Sequence, residues 1–251
     1  MMQISELTEQ LLPFFGATEE SGIFSTSDGL QLTLLLLVIP LLSGLLLSIP
    51  LAFARNARAP LLAKSVWLYT WLFRGTPMLV QLFLLYYGLG QFEWVRASWV
   101  WDYLREPYYC ALLSFTFNTT AYTTEILAGQ IRQLDWREIE AAQSLGMSRA
   151  LMNRRIVLPA ALRRSLPAYG NEVIMLLHGT AIVSLVTLTD LTGVARRMYS
   201  DTYNPFEPFM MAGGIYLLLT WLISLAFKKM EQHWLAYLSP RSSIHSKAGV
   251  V

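Results

Sequence analysis

The chain has 251 residues, of which 54% are hydrophobic and only 14% are charged. Both values depart from those of a soluble globular domain in the direction of a membrane protein. The formal net charge of +2 is too small to indicate nucleic-acid binding, and the single cysteine, Cys110, excludes a disulfide within the chain.

Five stretches of the chain are long enough to cross a bilayer, which takes about 20 mostly apolar residues. The first and the last are free of charged side chains, whereas the third contains Glu125 and the fourth contains Glu172 and His178. We therefore predict an all-α membrane protein with five transmembrane helices. The predicted spans are residues 30–54, 75–92 with a backward extension through 66–73, 108–130, 166–188 and 208–227.

The distribution of basic residues predicts the orientation. Residues 1–29 contain acidic side chains but no lysine or arginine, whereas most of the 19 basic residues follow spans one, three and five. Positively charged loops remain in the cytoplasm. We predict an N-terminus on the outer side and a C-terminus in the cytoplasm. The chain then divides into an outer segment at 1–29, a membrane region at 30–230 and a cytoplasmic tail at 231–251.

The outer segment shows no cleavable signal peptide, so we expect span one to insert uncleaved. Its apolar residues Ile4, Leu7, Leu11 and Phe14 recur at helical spacing. This pattern predicts a short helix that lies on the outer leaflet of the membrane.

The longest inner loop, about residues 131–165, combines a helix, a bend and two prolines. We predict the helix over about 137–145, where two alanines would let another protein approach closely. Gly146 has no side chain and permits a sharp bend. Pro159 and Pro167 are expected to end helical continuity before span four. The result would be a short, rigid knob in the cytoplasm; the alternative is an ordinary amphipathic loop helix.

The spacing in this loop resembles the EAA loop of the permease subunits of ATP-driven bacterial importers. The resemblance implies that the knob docks on a separate ATPase and couples ATP hydrolysis to transport. The coupling residues that it implies are Glu140, Ala141, Ala142, Gly146, Ile156, Leu158 and Pro159.

Three further motifs are similar to the polar amino-acid uptake branch of these permeases, which includes histidine/lysine-arginine-ornithine and arginine/octopine permeases. They are Arg74-Gly75-Thr76-Pro77 with Val80-Gln81-Leu82, Phe117-Asn118-Thr119-Thr120-Ala121-Tyr122 with Glu125, and Tyr169 with Asn171-Glu172-Val173-Ile174. The resemblance covers roughly residues 25–238. The chain departs from the family pattern in three places. Asp135 and Arg137 stand where the family usually has proline and glycine before the knob helix, and His178-Gly179-Thr180-Ala181-Ile182 stands in span four where many members have Lys-x-Thr-Ser-Leu. The tail after Leu238 has no obvious counterpart.

The resemblance implies a bacterial inner-membrane permease subunit for basic amino acids. Its implied partners are a second, homologous permease, two copies of a nucleotide-binding ATPase, a periplasmic amino-acid-binding protein and membrane lipid. ATP and Mg²⁺ would bind to the partner ATPase, so this chain would carry no cofactor. Whether the two permeases are identical stays open, as do transport of another polar amino acid or an opine, export instead of import, and a non-transporting membrane protein.

Ionisable residues inside a membrane are costly and mark substrate pathways or buried pairs. Asn118, Tyr122, Glu125 and Gly129 fall on one face of span three, which predicts a polar stripe facing a neighbouring helix or a cavity. By helical rise, Asn118 and His178 could meet near the middle of the membrane. The complete set of candidate pathway residues is Asn118, Tyr122, Glu125, Glu172, His178, Thr180 and Asp190.

Each charged candidate also has a structural alternative. Glu125 could pair with Arg132, Glu172 could interact near the basic inner interface, and His178 could be a packed histidine. Asp190 could be a gate, a contact for the binding protein, or a solvated helix end. Arg74 is interpreted as a membrane-interface anchor in preference to a pathway residue.

Enzyme chemistry finds no support in the sequence. The three histidines are scattered, and neither a His-Glu-x-x-His metal motif nor a Gly-x-Ser-x-Gly nucleophile turn occurs. The phosphate-binding Gly-x4-Gly-Lys-Ser/Thr loop is also missing, so another chain would have to hydrolyse ATP. We predict no metal site and no catalytic residues.

Overall fold

The computed structural model of the protein describes residues 11, 14 and 28–235. The regular structure within these residues is entirely helical, in agreement with the all-α prediction. The helices are α1 (Leu30–Arg55), α2 (Pro60–Gly75), α3 (Met78–Gln91), α4 (Glu93–Arg96), α5 (Trp101–Leu104), α6 (Pro107–Arg132), α7 (Trp136–Ser144), α8 (Arg149–Val186), α9 (Leu191–Thr202) and α10 (Phe206–Trp234). The predicted tail at 231–251 is described only as far as residue 235.

Three of the helices in the described part of the chain, α1, α8 and α10, are long and apolar enough to cross a membrane. The third predicted span corresponds to α6, which is 26 residues long but carries many threonines and other polar side chains. The membrane character is therefore clear, whereas the number of five spans and their orientation stay predictions.

The second predicted span is interrupted, which corrects the sequence-based expectation of one continuous helix. α2 ends at Gly75 and α3 begins at Met78. Thr76 is extended because the Pro77 ring disfavours a helical conformation in the residue before it. The amide of Gln81 donates hydrogen bonds to the carbonyl oxygens of Phe73 at 2.8 Å and Thr76 at 3.0 Å. The break is thus stabilised by a side chain that satisfies exposed backbone acceptors.

The prediction that prolines end the helix before span four is wrong. α8 runs without interruption through Pro159 and Pro167. Pro159 follows a π-helical turn at Asn153–Val157, where the backbone hydrogen-bond register already changes, so that the missing N–H of proline is accommodated. Packing against neighbouring helices also allows proline inside long membrane helices.

The core lies between α1, α3, α6 and α8, and the most extensive helix–helix packing is between α1 and α6. Gly44 of α1 makes this approach possible, because a Cβ atom there would overlap the side chain of Thr119. The fully or nearly fully buried apolar side chains of this core include Leu32, Leu36, Leu82, Phe115, Leu176 and Leu177.

The start of α1 is fastened to the turn that follows α8. The backbone N–H of Gly29 donates to the carbonyl of Thr189 at 2.7 Å. Phe14 is completely buried in a cluster with Leu191 and Val194. Phe14 of the outer segment therefore packs against protein, whereas the sequence predicted contact with lipid. Ile4 and Leu7 lie outside the described residues.

Candidate functional site

The knob is a short helix with a defined beginning and end. Oδ1 of Asp135 accepts a hydrogen bond from the backbone N–H of Arg137 at 3.0 Å, which caps the start of α7. Asp135 therefore supplies the turn for which the family pattern has proline and glycine. The helix spans Trp136–Ser144, close to the predicted 137–145.

The end of α7 depends on Gly146. The N–H of Gly146 donates to the carbonyl of Gln143 at 2.9 Å, and the N–H of Met147 donates to that of Ala142 at 3.2 Å. This pair of bonds is a Schellman motif, which requires a left-handed residue after the helix. Gly146 has φ +73°, and no atom lies within 4 Å of the position a Cβ would take. The predicted bend is confirmed, and backbone conformation alone explains the glycine.

The knob has an inner face packed on the protein and an outer face open to solvent. Ala142 is buried with Leu134, Met152 and Val157. Ala141 and Leu145 are exposed, with 82% of Leu145 accessible. The exposed Glu140 and the half-buried Ile156, Leu158 and Pro159 complete the predicted coupling residues. The two alanines thus differ, because only Ala141 is available to another protein.

A cavity of about 380 Å³ opens at the break between α2 and α3. It brings together residues from four helices, because the break exposes the end of α2 to α6 and α8. Three of the predicted pathway residues are among its lining residues, which are Arg74, Gly75, Thr76, Pro77, Met78, Asn118, Tyr122, Glu172, Met175 and Leu176.

The polar side chains of the cavity are held in place by neighbouring groups. Nδ2 of Asn118 donates to Oε1 of Gln81 at 3.2 Å. The guanidinium of Arg74 lies 5.2 Å from the centre of the Tyr122 ring, a cation–π contact. Thr119 donates to Oε1 of Glu172 at 3.0 Å. The cavity therefore presents one carboxylate, one guanidinium and one carboxamide on fixed helices.

Glu125 does not line this cavity, although it shares a helix face with Asn118 and Tyr122. Its Oε1 accepts hydrogen bonds from Nε of Arg55 at 2.7 Å and from Thr70 at 2.8 Å. Its Oε2 lies 4.0 Å from Nη2 of Arg132. The polar stripe is thus divided between the cavity and an ion cluster.

The other pathway candidates lie elsewhere. Nε2 of His178 is 3.1 Å from the hydroxyl of Thr220, and His178 lines a separate groove from Asn118, so the predicted meeting of these two residues is wrong. Thr180 is buried, and its hydroxyl donates to the carbonyl of Leu177 at 2.7 Å.

Asp190 is fully buried, which rules out the solvated helix end. Its carboxylate accepts from the N–H of Gly193 at 2.9 Å and from the hydroxyl of Tyr216 at 3.0 Å. Burial raises the pKa of Asp190 to about 6, against the opposing effect of these hydrogen bonds. Asp190 therefore caps α9 and contacts α10.

Sequence reasoning missed two residues of the cavity region. Arg74 lines the cavity, whereas the sequence favoured an interface anchor. Gln81 positions Asn118 from a distance of 37 residues along the chain. The usable signal was the Gly75-Thr76-Pro77 sequence, because a helix break inside a membrane exposes backbone and gathers polar groups. Among the described residues, no group of three or more His, Cys, Asp or Glu side chains could hold a metal ion.

Comparison with known proteins identifies the chain's relatives. Residues 44–235 match the family described as the binding-protein-dependent transport system inner membrane component. The chain belongs to this family. The permease is 44% identical over 193 residues to the nopaline transport system permease protein NocM of Agrobacterium fabrum, with 76% of this chain and 80% of that protein covered.

Two further relatives agree with this result. The permease is 42% identical over 214 residues to the histidine/lysine/arginine/ornithine transport system permease protein HisM of Salmonella typhimurium, with 85% of this chain and 91% of that protein covered. A crystal structure described as an amino acid ABC transporter with histidines has a TM-score of 0.76 and 29% identity, and the match covers 93% of this chain and 99% of that one. Family membership confirms the resemblance, the inner-membrane location and the interpretation of the permease as a transport subunit and not an enzyme.

Proposed function

We propose that this permease forms half of the translocation pathway of an ATP-driven importer for basic amino acids such as arginine, lysine, ornithine and histidine. It works with a second, homologous permease, two copies of a nucleotide-binding ATPase and a periplasmic amino-acid-binding protein. ATP and Mg²⁺ bind to the ATPase. The named substrates of the relative HisM support this choice.

The observation that carries the substrate class is the cavity with Glu172 and Arg74 among its lining residues. A basic amino acid carries a carboxylate at one end and a cationic side chain at the other. Arg74 is suited to the carboxylate and Glu172 to the cation, because charge-assisted hydrogen bonds are stronger than neutral ones. Asn118 and Tyr122 add further polar groups to the lining of the cavity. A cation that enters the membrane alone would lose its hydration without compensation.

The knob is the proposed contact with the ATPase. Its outer face carries exposed groups, including Glu140 and Leu145, whereas its inner face packs on α8. Closure of the ATPase dimer would move α7 and, through it, α6 and α8, so that the cavity changes from inward to outward access. Nucleotide can bias these two states only if their free energies differ by a few kcal/mol.

The proposed topology has five spans, with α2 and α3 together forming the second. The outer segment at 1–29 is periplasmic, the membrane region extends over 30–230 and the tail at 231–251 is cytoplasmic. The coupling loop at about 131–165 then lies on the same side as the ATPase. The basic residues around it support this orientation.

The decisive experiment measures uptake in liposomes that contain the complete complex. Wild-type complex is expected to accumulate labelled arginine with ATP inside. Glu172→Gln is expected to raise the KM for arginine by about 10- to 100-fold, because a hydrogen bond to a charged group contributes about 1.5–3 kcal/mol. Glu93→Gln, at the exposed start of α4 and away from the cavity lining, is the matched control and should leave the KM unchanged.

Histidine distinguishes a charge effect from a general loss of binding. Its side chain is mostly neutral at pH 8, since the ordinary pKa of imidazole is about 6.5. Glu172→Gln should therefore affect histidine uptake much less than arginine uptake at that pH. An equal loss for both substrates would show that Glu172 does not recognise the cationic side chain.

Opines are the second candidate substrates, because the relative NocM is named for nopaline transport. Competition decides between them. Excess unlabelled nopaline or octopine should leave arginine uptake unchanged if the permease serves basic amino acids, whereas strong inhibition would favour an opine importer.

A further inference from the structure

Glu125 joins three helices through one carboxylate. Oε1 accepts hydrogen bonds from Nε of Arg55, the last residue of α1, and from the hydroxyl of Thr70 in α2. The exposed fractions of the side chains are 13% for Glu125 and 23% for Arg55. An ion pair this shielded from water holds its partners in a defined geometry, because separating them leaves a charge poorly compensated.

A second set of contacts reinforces the connection between α1 and α6. Arg132 ends α6 and donates from Nη1 to Oδ1 of Asn56 at 3.1 Å. Nδ2 of Asn56 in turn donates to the carbonyl of Ala128 at 3.1 Å. Together with the approach of Arg132 to Glu125, these bonds form the inner ion cluster, which consists of Arg55, Asn56, Thr70, Glu125 and Arg132.

The inner ion cluster lies between the cavity and the knob. On α6, Glu125 is about two turns, or about 10 Å, from Asn118 and the same distance from Arg132. On α2, Thr70 lies about one turn before Arg74. The cluster is therefore positioned to transmit movement along two helices that contribute side chains to the cavity.

The knob is attached directly to the same region. Nη1 of Arg164 in α8 donates to the carbonyl of Gln133 at 3.2 Å, and Nη2 lies 3.9 Å from Glu138 of α7. Phe53 of α1 packs against the cluster of Leu134 and Val157 beneath the knob. The inner end of α1 therefore packs against the same apolar cluster as the knob.

We infer that Glu125 is a positioning residue that couples the knob to α1 and α2, so that these helices move with α6 when the ATPase closes. It acts without touching the substrate. This inference rests on the proposed function and deepens it, because it extends the coupling path beyond α6 and α8 to the helix that carries Arg74.

The experiment measures uptake and ATP hydrolysis in the same liposomes, with the complete complex and saturating arginine. The expected result for Glu125→Gln is assembly near the wild-type level and a fall of about fivefold or more in the amount of arginine taken up per ATP hydrolysed, the range of typical coupling effects. The matched control is Glu106→Gln at the opposite end of α6, where an exposed pair with Arg105 is removed, and it should retain the wild-type ratio.

The double variant Arg55→Gln with Glu125→Gln removes both charges and leaves the half-exposed Arg132 solvated. It should show the same loss of coupling as either single variant, because the two residues act through one interaction. Normal uptake per ATP in the double variant would overturn the inference, and so would loss of assembly in proportion to loss of uptake. A changed KM for arginine with an unchanged ratio at saturation would assign Glu125 to substrate binding and also overturn it.

Failure of the proposed function gives a different result. If the wild-type complex hydrolyses ATP without accumulating any basic amino acid, the substrate assignment is wrong and the same ratio is then measured with nopaline or octopine. The inference about Glu125 fails when the wild type transports and one of the outcomes above is found, including the same ratio of uptake to ATP hydrolysis in Glu125→Gln and the wild type.

Discussion

Tyr216 donates a hydrogen bond from its hydroxyl to Oδ2 of Asp190 at 3.0 Å, which ties α10 to the turn between α8 and α9. Only 6% of the residues in the most apolar part of α10 are buried within the chain. Most of the surface of α10 is therefore not covered by the rest of the chain, although Tyr216, Leu219, Ile223 and Phe227 pack against the core along one side. The carboxylate that accepts this bond also caps α9, so one buried side chain stabilises two helices.

Two replacements of Asp190 should distinguish its role as a helix cap from the effect of its charge. Asp190→Ala is expected to lower the melting temperature of the purified complex by about 2–4 °C, because a lost cap costs about 1 kcal/mol. Asp190→Asn should be at least as stable as the wild type, since asparagine is also a good cap and its amide can donate to the Tyr216 oxygen. Thermal unfolding in detergent measures both. An Asn variant as unstable as the Ala variant would contradict this account.

The same residue predicts a pH dependence. Burial raises the pKa of Asp190 from 3.8 to about 6, so the native state binds the proton more tightly than the unfolded state. The stabilising contribution of this group is present below about pH 4 and is lost as the pH rises through about 6. The melting temperature of the wild type should therefore fall relative to that of Asp190→Asn mainly between pH 4 and pH 6, that is, between the two pKa values. Parallel pH profiles would argue against a raised pKa.

Gly146 should tolerate only residues that accept a positive φ. Gly146→Pro fixes φ near −65° and removes the N–H that bonds to Gln143, so the Schellman motif that ends α7 cannot form. We expect normal membrane levels and loss of uptake. Gly146→Asn is the matched control, because asparagine adopts left-handed conformations and the position has open space around it. Uptake near the wild-type level in the proline variant would exclude the knob from coupling.

Cysteine labelling tests the proposed orientation. Ser148 at the end of the knob and Ser200 in α9 are both exposed. With the buried Cys110 replaced by serine, Ser200→Cys should react with an impermeant thiol reagent added to intact cells, and Ser148→Cys should react only after the cells are opened. The reverse pattern would invert the topology.

Local sequence predicts those features of this permease that depend on neighbouring residues. The uncharged stretch at 30–54 became α1, and Gly146 became the left-handed end of α7, because both depend on composition or on one residue's backbone freedom. For Pro159 and Pro167, local sequence gave the wrong prediction. Their local preference is to stop a helix, but a π-helical turn and the neighbouring helices accommodate them in α8.

The tertiary structure determined the contacts between side chains that are far apart in the sequence. Glu125 accepts hydrogen bonds from Arg55 and Thr70, which lie 70 and 55 residues away in the sequence, respectively. Helical periodicity places Glu125 on the same face of α6 as Asn118 and Tyr122, so it could not predict that only the latter two line the cavity. The sequence by itself determined a helical membrane protein with a short helix and a glycine bend in the loop before α8, since hydrophobic length and backbone freedom are local properties. Only the packing of α1 and α2 against α6 decided which polar residues line the cavity and which form the inner ion cluster, because a side chain's role depends on the groups that surround it after folding.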